Sequence, residues 1–152
     1  MKIMFVCHGN ICRSPMAEFV MKKLLEENHL EKEIEVSSCA VSTEEIGNPV
    51  YPPARKKLAE HGISCDGKFA VQLKKSDYQK YDLFLVMDDS NLFYISRFFP
   101  SDPENKIYKL LKFAGRSENV ADPWYTGDFE KAYQDIYEGC QGLINYLWGV
   151  LS

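Results

Sequence analysis

The sequence has no long apolar run, no excess of positive charge and no regular cysteine spacing. Its apolar runs are short, as in residues 83–87, whereas a membrane-spanning helix needs about 20 apolar residues, so we expect no membrane association. The formal net charge of −4 argues against nucleic-acid binding. The odd number of cysteines predicts free thiols. With no secretory signal, we expect a cytoplasmic protein.

The chain also lacks internal repeats, low-complexity tracts and linkers, and its 152 residues therefore predict one domain over residues 1–152. Short apolar segments indicate buried strands at residues 3–6, 34–36, 82–87 and 106–110. Apolar periodicity and start signals predict helices at residues 14–28, 52–60, 88–99 and 129–147. In these predictions Ser14 caps the first helix, and the third helix turns an apolar face to the core. That face comprises Leu92, Phe93, Ile95, Phe98 and Phe99.

Alternating strands and helices predict an α/β fold with a mainly parallel sheet. Ligands bind such sheets beyond the carboxyl ends of the strands. The loops that follow Val6, Val36, Met87 and Leu110 are therefore the places where a functional site is expected.

The loop after the first strand carries a cysteine and an arginine at a spacing suited to phosphate chemistry. Cys7 lies six residues before Arg13, between a predicted strand and a helix start. Peptide N–H groups of such a loop can surround an anion, and Gly9 and Asn10 tolerate the backbone angles required. The guanidinium matches two phosphate oxygens, and the same positive field stabilises a thiolate. The loop thus predicts a nucleophile inside an anion cradle.

A second segment supplies the proton donor that phosphate transfer needs. Asp122 can protonate a leaving phenolate oxygen, and its carboxylate can then activate water against a phosphocysteine. Trp124 and Tyr125 follow and can form the walls of a slot for an aromatic ring. An Asp-Pro pair alone indicates only a turn, so the assignment depends on the cysteine loop.

Four segments resemble those of low-molecular-weight protein tyrosine phosphatases, and the resemblance covers almost the whole chain. They are residues 6–18, 46–49, 86–92 and 122–125. The resemblance implies a three-layer domain whose four-stranded parallel sheet is flanked by helices, with a flavodoxin-like or Rossmann-like topology. It also implies a phosphocysteine intermediate and neither metal nor cofactor. The expected partners are phosphotyrosine-containing proteins, with inorganic phosphate as product and inhibitor.

Carried over by position, the resemblance implies roles for individual residues. Cys7 matches the nucleophile, Arg13 the phosphate clamp and Asp122 the general acid. The phosphate-binding loop would comprise His8, Gly9, Asn10, Ile11, Cys12, Arg13 and Ser14. Ser14 resembles the hydroxyl that hydrogen-bonds the sulfur and helps it leave. Asn10, assisted by Ser38, resembles the residue that holds the loop in its strained shape.

Three positions depart from the family pattern. Glu44, which is followed by Glu45, stands where many members carry an aromatic residue, so we expect the slot of Glu44, Trp124 and Tyr125 to lack one aromatic wall and to have an acidic rim. The family's supporting histidine has no clear counterpart in residues 67–73. His8 occupies a variable position, and we expect its backbone N–H to serve the loop while its side chain points outward.

Other functions stay open for this loop. Relatives specific for phosphoarginine carry threonine at the position of Ile11, which favours phosphotyrosine here, although the acidic rim suits a cationic substrate. A thiol-dependent arsenate reductase would need further cysteines close in sequence. A catalytically silent phosphate-binding module would not need Asp122.

Cys12 allows two interpretations. It is either a small buried residue or a redox guard that forms a reversible disulfide with Cys7. A metal site of Cys7, His8 and Cys12 would lack a second ligand cluster and would occupy the nucleophile, so no metal is expected.

Overall fold

The first strand of the chain lies at the centre of the sheet. β1 (Lys2–Cys7) pairs in parallel with β2 (Glu35–Ala40) and with β3 (Leu83–Val86), which pairs in turn with β4 (Ile107–Lys109). In the computed structural model, which describes residues 1–151, the strand order is β2-β1-β3-β4. This order confirms the predicted α/β fold with a four-stranded parallel sheet. It changes direction between β1 and β3, where sheets of this kind bind ligands.

Helices fill the connections between the strands. They are α1 (Arg13–Glu27), α2 (Pro52–Glu60), α3 (Asp77–Lys80), α4 (Asp89–Ile95), α5 (Pro123–Thr126), α6 (Phe129–Leu151) and a 3-10 helix at Leu110–Ala114. The sequence pattern predicts neither α3, α5 nor the 3-10 helix, because such short segments show no apolar periodicity. Within residues 1–151, no helix is both long enough and apolar enough to cross a membrane.

Alternate residues of β1 are buried on opposite faces of the sheet. Ile3 and Phe5 join the core shared with α1, α2 and α6. Met4 and Val6 join a second core that includes Tyr78 of α3 and other residues of the α3 and α4 side. A strand buried on both faces needs a continuous apolar run, as β1 has. The fold therefore has three layers: helices, sheet and helices.

β2 extends four residues beyond its predicted end. Polar Ser37 and Ser38 interrupt the apolar pattern, so the sequence indicates a strand only up to Val36. Parallel pairing with β1 continues nevertheless, with Phe5 opposite Ser38. The extension brings the Ser38 hydroxyl to the level of the loop that follows β1.

The prediction that Ser14 caps α1 is wrong. The helix begins at Arg13, and the residue preceding it, Cys12, makes no capping side-chain bond. The Ser14 hydroxyl lies 2.9 Å from Cys7 Sγ instead, because the loop turns back over the start of the helix.

The predicted apolar face of the third helix is also wrong in part. α4 ends at Ile95, and its buried positions are Asn91 and Ile95, which lie four residues apart on one face. This rotation leaves Leu92 and Phe93 39% and 53% exposed. Phe99 is buried as expected, but from the turn beyond the helix.

Candidate active site

The site lies beyond the carboxyl ends of β1 and β3, at the change in strand direction. A pocket of about 120 Å³ opens there. It is lined by Cys7, His8, Gly9, Ile11, Cys12, Arg13, Glu44, Glu45, Asp122, Trp124 and Tyr125. The structure therefore brings the two predicted segments, the cysteine loop and the Asp122 segment, to one pocket.

The Cys7 sulfur is surrounded by hydrogen-bond donors. The N–H groups of Asn10 and Ser14 donate to it at 3.3 and 3.4 Å, and the Ser14 Oγ lies 2.9 Å away. That oxygen accepts a bond from Asn10 Nδ2 at 2.7 Å, and its own proton can go to the sulfur or to the more distant Cys39 carbonyl, at 3.4 Å. Three donors converging on one sulfur suit the thiolate form of a nucleophile.

Asn10 itself adopts a left-handed backbone conformation within the loop, with φ of 61°. Its Nδ2 donates to Ser14 Oγ and, at 3.0 Å, to Ser38 Oγ, while its Oδ1 accepts from the Val71 N–H at 3.1 Å. Every polar atom of this buried amide side chain thus has a partner. The predicted contact between Asn10 and Ser38 is present, and Val71 adds a contact that the sequence does not indicate.

A buried carboxylate continues this network behind the loop. Ser38 Oγ donates to Glu18 Oε1 at 2.6 Å, and Lys22 Nζ donates to Glu18 Oε2 at 2.6 Å. Lys68 Nζ donates to the Ser38 carbonyl at 2.9 Å and lies 3.8 Å from Glu18 Oε1. Burial lowers the pKa of the Lys68 ammonium, which the Glu18 carboxylate partly offsets. A lysine therefore lies behind the loop, within the segment that lacks the family's histidine.

Carboxylates from the β3 and β4 sides hold the Arg13 guanidinium. Its Nη1 donates to Asp88 Oδ2 at 2.6 Å and to the Val120 carbonyl at 2.8 Å, and Nη2 lies 3.4 Å from Asp122 Oδ2. Thiolate and carboxylate charges raise the pKa of Arg13 despite its burial. The other carboxylate oxygen of Asp88 caps α4 through the Asn91 N–H, at 2.7 Å. The Arg13 guanidinium is therefore charged and held in one orientation.

Asp122 caps the short helix α5 and faces the pocket. Its Oδ1 accepts the Trp124 N–H at 3.1 Å, and its side chain is 25% exposed. Trp124 packs against Tyr51, with 4.7 Å between ring centroids. Tyr125 is 83% exposed and reaches the pocket only at its mouth. One wall of the slot is therefore braced, by an aromatic contact that the sequence does not indicate.

The opposite rim is acidic, as the departure at Glu44 predicts. Glu44 Oε2 lies 2.7 Å from His8 Nε2, and both side chains line the pocket. The His8 side chain lies at the rim and is 40% exposed, which agrees with the expectation that it points outward. Glu44 holds the ring there, and 6.3 Å separate its centroid from that of the Tyr94 ring. Glu45 lies beside Gly9: a Cβ added to Gly9 would lie 3.4 Å from the Cγ of Glu45.

Comparison with known proteins now decides the family. Residues 2–148 match the family described as low molecular weight phosphotyrosine protein phosphatase. This chain belongs to that family. The low molecular weight protein-tyrosine-phosphatase YfkJ of Bacillus subtilis is 36% identical over 144 residues, which are 93% of this chain and 92% of YfkJ.

Other relatives support the same assignment of this phosphatase. The crystal structure of YfkJ superposes with a TM-score of 0.96, at 34% identity over all of this chain and 97% of that one. PtpA of Staphylococcus saprophyticus, also named a low molecular weight protein-tyrosine-phosphatase, is 35% identical over 95% of this chain and 92% of its own length. A Drosophila arginine phosphatase superposes with a TM-score of 0.87, at 29% identity over 97% of this chain and 98% of that chain.

The remaining cysteine of the phosphatase loop differs sharply from Cys7 in its surroundings. Burial and the neighbouring thiolate and carboxylate charges raise the pKa of Cys12 to about 12. Cys12 is therefore a protonated thiol at neutral pH, although it lines the same pocket. The redox-guard hypothesis stays a prediction. Residues 1–151 contain no group of three or more histidine, cysteine or carboxylate side chains placed to hold a metal.

Four residues that support the phosphatase site are missed by sequence reasoning. They are Glu18, Tyr51, Lys68 and Asp88. Glu18 and Lys68 look like ordinary charged positions of a solvated face, and Asp88 looks like a helix cap alone. The sequence gives only an indirect indication of their roles. Each of the four lies in or beside a segment that resembles the family pattern or departs from it.

Proposed function

We propose that this protein hydrolyses phosphotyrosine in proteins through a phosphocysteine intermediate. One observation carries the proposal: the Cys7 sulfur, the Arg13 guanidinium and the Asp122 carboxyl group line one pocket, and three donors converge on the sulfur. A site that only bound phosphate would need the guanidinium and the loop, but it would not need a nucleophile or a carboxylic acid.

The residues present account for both halves of the reaction. The Cys7 thiolate attacks phosphorus while the phosphorus–oxygen bond to tyrosine breaks, and protonated Asp122 gives its proton to the leaving phenolate oxygen. Arg13 and the loop N–H groups bind the phosphoryl oxygens throughout. The Asp122 carboxylate then takes a proton from water, which attacks phosphorus. The phosphorus–sulfur bond breaks, inorganic phosphate leaves, and the Ser14 hydroxyl stabilises the departing thiolate.

The proposed function is tested by comparing hydrolysis of phosphotyrosine, phosphoserine and phosphoarginine peptides in metal-free buffer. We expect turnover of phosphotyrosine that is lost in Cys7→Ser, while phosphate binding is retained. Absence of turnover of every substrate by protein that binds phosphate would contradict the proposal and indicate a phosphate-binding module.

Phosphoarginine is the second candidate substrate, and the acidic rim is the observation that favours it. Glu44 and Glu45 line the pocket and could attract a guanidinium. The Drosophila protein with the same fold is an arginine phosphatase. Against it stand Ile11, an apolar residue in the loop, and the pairing of Glu44 with His8. Faster hydrolysis of phosphoarginine in the same assay would keep the mechanism and change the substrate.

The cytoplasm is the location we propose for this activity. The cysteines at positions 7, 12, 39, 65 and 140 are free and buried. Persistent free thiols suit a reducing compartment. Localisation of the tagged protein in cell fractions tests this directly.

A further inference from the structure

A groove of about 530 Å³ adjoins the active pocket on the side of α4. His8 and Glu44 line both the pocket and the groove. The wall between them is well anchored, because the His8 carbonyl accepts the Ser42 N–H at 3.1 Å and the Ser42 hydroxyl at 2.8 Å. If a substrate polypeptide crosses this wall while its phosphotyrosine occupies the pocket, the residues next to the phosphotyrosine therefore lie in the groove.

The groove carries unpaired positive charge. Lys75 and Arg97 line it and are exposed, and neither has a carboxylate oxygen within 4.0 Å among the described residues. The Arg97 guanidinium lies 5.3 Å from the Tyr94 ring centroid, a cation–π contact that holds it beside the groove. The carboxylate in the groove, Glu44, is bonded to His8.

Apart from Arg13 and His8, the ionisable acidic and basic side chains that line the active pocket are the carboxylates Glu44, Glu45 and Asp122. Glu45 is half-buried, and its carboxylate accepts a hydrogen bond from the Asn48 amide at 2.5 Å. The chain has a net charge of −4. Two unpaired cations in the groove therefore favour the binding of negatively charged ligands on the α4 side of the pocket. Glu45, which lines the pocket but not the groove, repels the same ligands.

We propose that this groove binds acidic side chains adjacent to the phosphotyrosine of a substrate polypeptide, an inference that rests on the proposed hydrolysis of phosphotyrosine. Carboxylates of glutamate or aspartate pair with Lys75 and Arg97. The methylene stems of those side chains contact Tyr94 and Phe98, which form an apolar part of the lining. Because Lys75 and Arg97 line the groove and not the pocket itself, acidic residues are favoured on the side of the phosphotyrosine that occupies the groove, either before or after it, but not equally on both sides.

The inference is tested with matched phosphotyrosine peptides that carry glutamate, glutamine or lysine on one side of the phosphotyrosine at a time. On the favoured side, we expect the kcat/KM of the glutamate peptide to exceed that of the glutamine peptide about 3- to 10-fold, as two exposed ion pairs allow. The ratio should fall to about one in the double variant Lys75→Gln, Arg97→Gln. It should persist in Lys32→Gln, an exposed lysine in the turn before β2, at the end of that strand remote from the groove.

Binding of the same peptides to Cys7→Ser protein, followed by fluorescence anisotropy, tests the groove without turnover. We expect the same preference for glutamate, and a smaller preference in high salt. Equal affinity for the glutamate and glutamine peptides would overturn the inference that the groove binds acidic side chains. A preference for glutamate that survives the double substitution would overturn it as well. Preferential binding by Cys7→Ser with no hydrolysis by the unsubstituted protein overturns the proposed function alone.

Discussion

Among single residues, Asp122 combines a structural contact with a chemical one. Its Oδ1 caps α5 and its Oδ2 faces the Arg13 guanidinium. Asp122→Asn keeps an oxygen that can cap the helix but has no acidic proton, whereas Asp122→Ala removes both. We expect both variants to lose about 10²–10⁴ in kcat for phosphotyrosine, the usual contribution of a positioned acid. Near-normal turnover by Asp122→Asn would mean that capping is the residue's only role.

Lys68 is the residue whose burial most clearly serves the loop. Lys68→Met keeps the stem but removes the donor to the Ser38 carbonyl and one partner of Glu18. We expect the free energy of unfolding to fall by about 1–2 kcal/mol at neutral pH. Lys22→Met is the matched control, because its exposed ion pair with the same carboxylate should contribute about 0.5 kcal/mol or less. Equal losses in urea unfolding would contradict a special role for Lys68.

The same lysine predicts a pH dependence with a definite sign. Burial lowers its pKa from the ordinary 10.5, so the unfolded chain binds more protons between the two pKa values. Stability contributed by Lys68 therefore rises with pH as the pH approaches 10.5. We expect the difference in unfolding free energy between the unsubstituted protein and Lys68→Met to grow over that interval. A difference that shrinks would show that the folded state holds this proton more tightly.

Sequence reasoning at this scale finds the cradle but not its support. Cys7 and Arg13 belong to one contiguous segment, so spacing alone brings them together. Glu18 and Lys68 meet only after β2 and the loop beyond it have folded, and a charged side chain shows no sign in sequence that it is buried. The contact of His8 with Glu44, 36 residues away, depends on that same folding, so the sequence does not indicate it.

At the scale of elements, α6 owes its close approach to the 3-10 helix to a glycine. A Cβ at Gly142 would lie 2.0 Å from the Phe113 carbonyl oxygen, a backbone atom that cannot rotate away. We expect Gly142→Ala to lower the free energy of unfolding by about 2–3 kcal/mol or more, because the helices must separate. Chemical denaturation measures this loss.

Gly149 provides the control for that substitution within the same helix. Among residues 1–151, a Cβ there meets no heavy atom within 4 Å. Alanine should therefore stabilise the helix by up to about 1 kcal/mol through its higher helix propensity. Destabilisation by both substitutions to a similar extent would show that close packing at Gly142 is not the cause.

Element boundaries show where sequence patterns stop being informative. α2 begins and ends where Pro52 and the glycine after it predict, because those residues restrict the backbone directly. β2 continues beyond its apolar residues because its backbone still pairs with β1. The polar side chains of that extension give no sign of this pairing in the sequence. The burial of α4 depends on its rotation, which the Asp88 cap and packing on the sheet determine together.

At the scale of the whole molecule, ligand binding and folding stability are linked through the site. A ligand that binds only the folded state at one hundred times its Kd adds about 2.7 kcal/mol. For a chain of this size, we expect inorganic phosphate at that concentration to raise the melting temperature by roughly 5–10 °C. Arg13→Lys should largely abolish the shift, because an ammonium cannot replace the planar fork.

Lys32→Gln serves as the matched control for this measurement, since it removes a cation far from the pocket. Its melting temperature should respond to phosphate as the unsubstituted protein does. A full response in Arg13→Lys would show that phosphate stabilises the protein from elsewhere on its surface.

The contacts of Arg13 also bear on when activity begins during protein synthesis. The cradle residues emerge from the ribosome first, but the guanidinium reaches the Val120 carbonyl and the Asp122 carboxyl group more than 100 residues later in the chain. A nascent chain that ends before residue 120 therefore has the cysteine loop but neither of these contacts. Under the proposed mechanism, such a chain lacks the general acid, and hydrolysis of phosphotyrosine begins only after the segment that carries Asp122 has been synthesised and has packed against the loop.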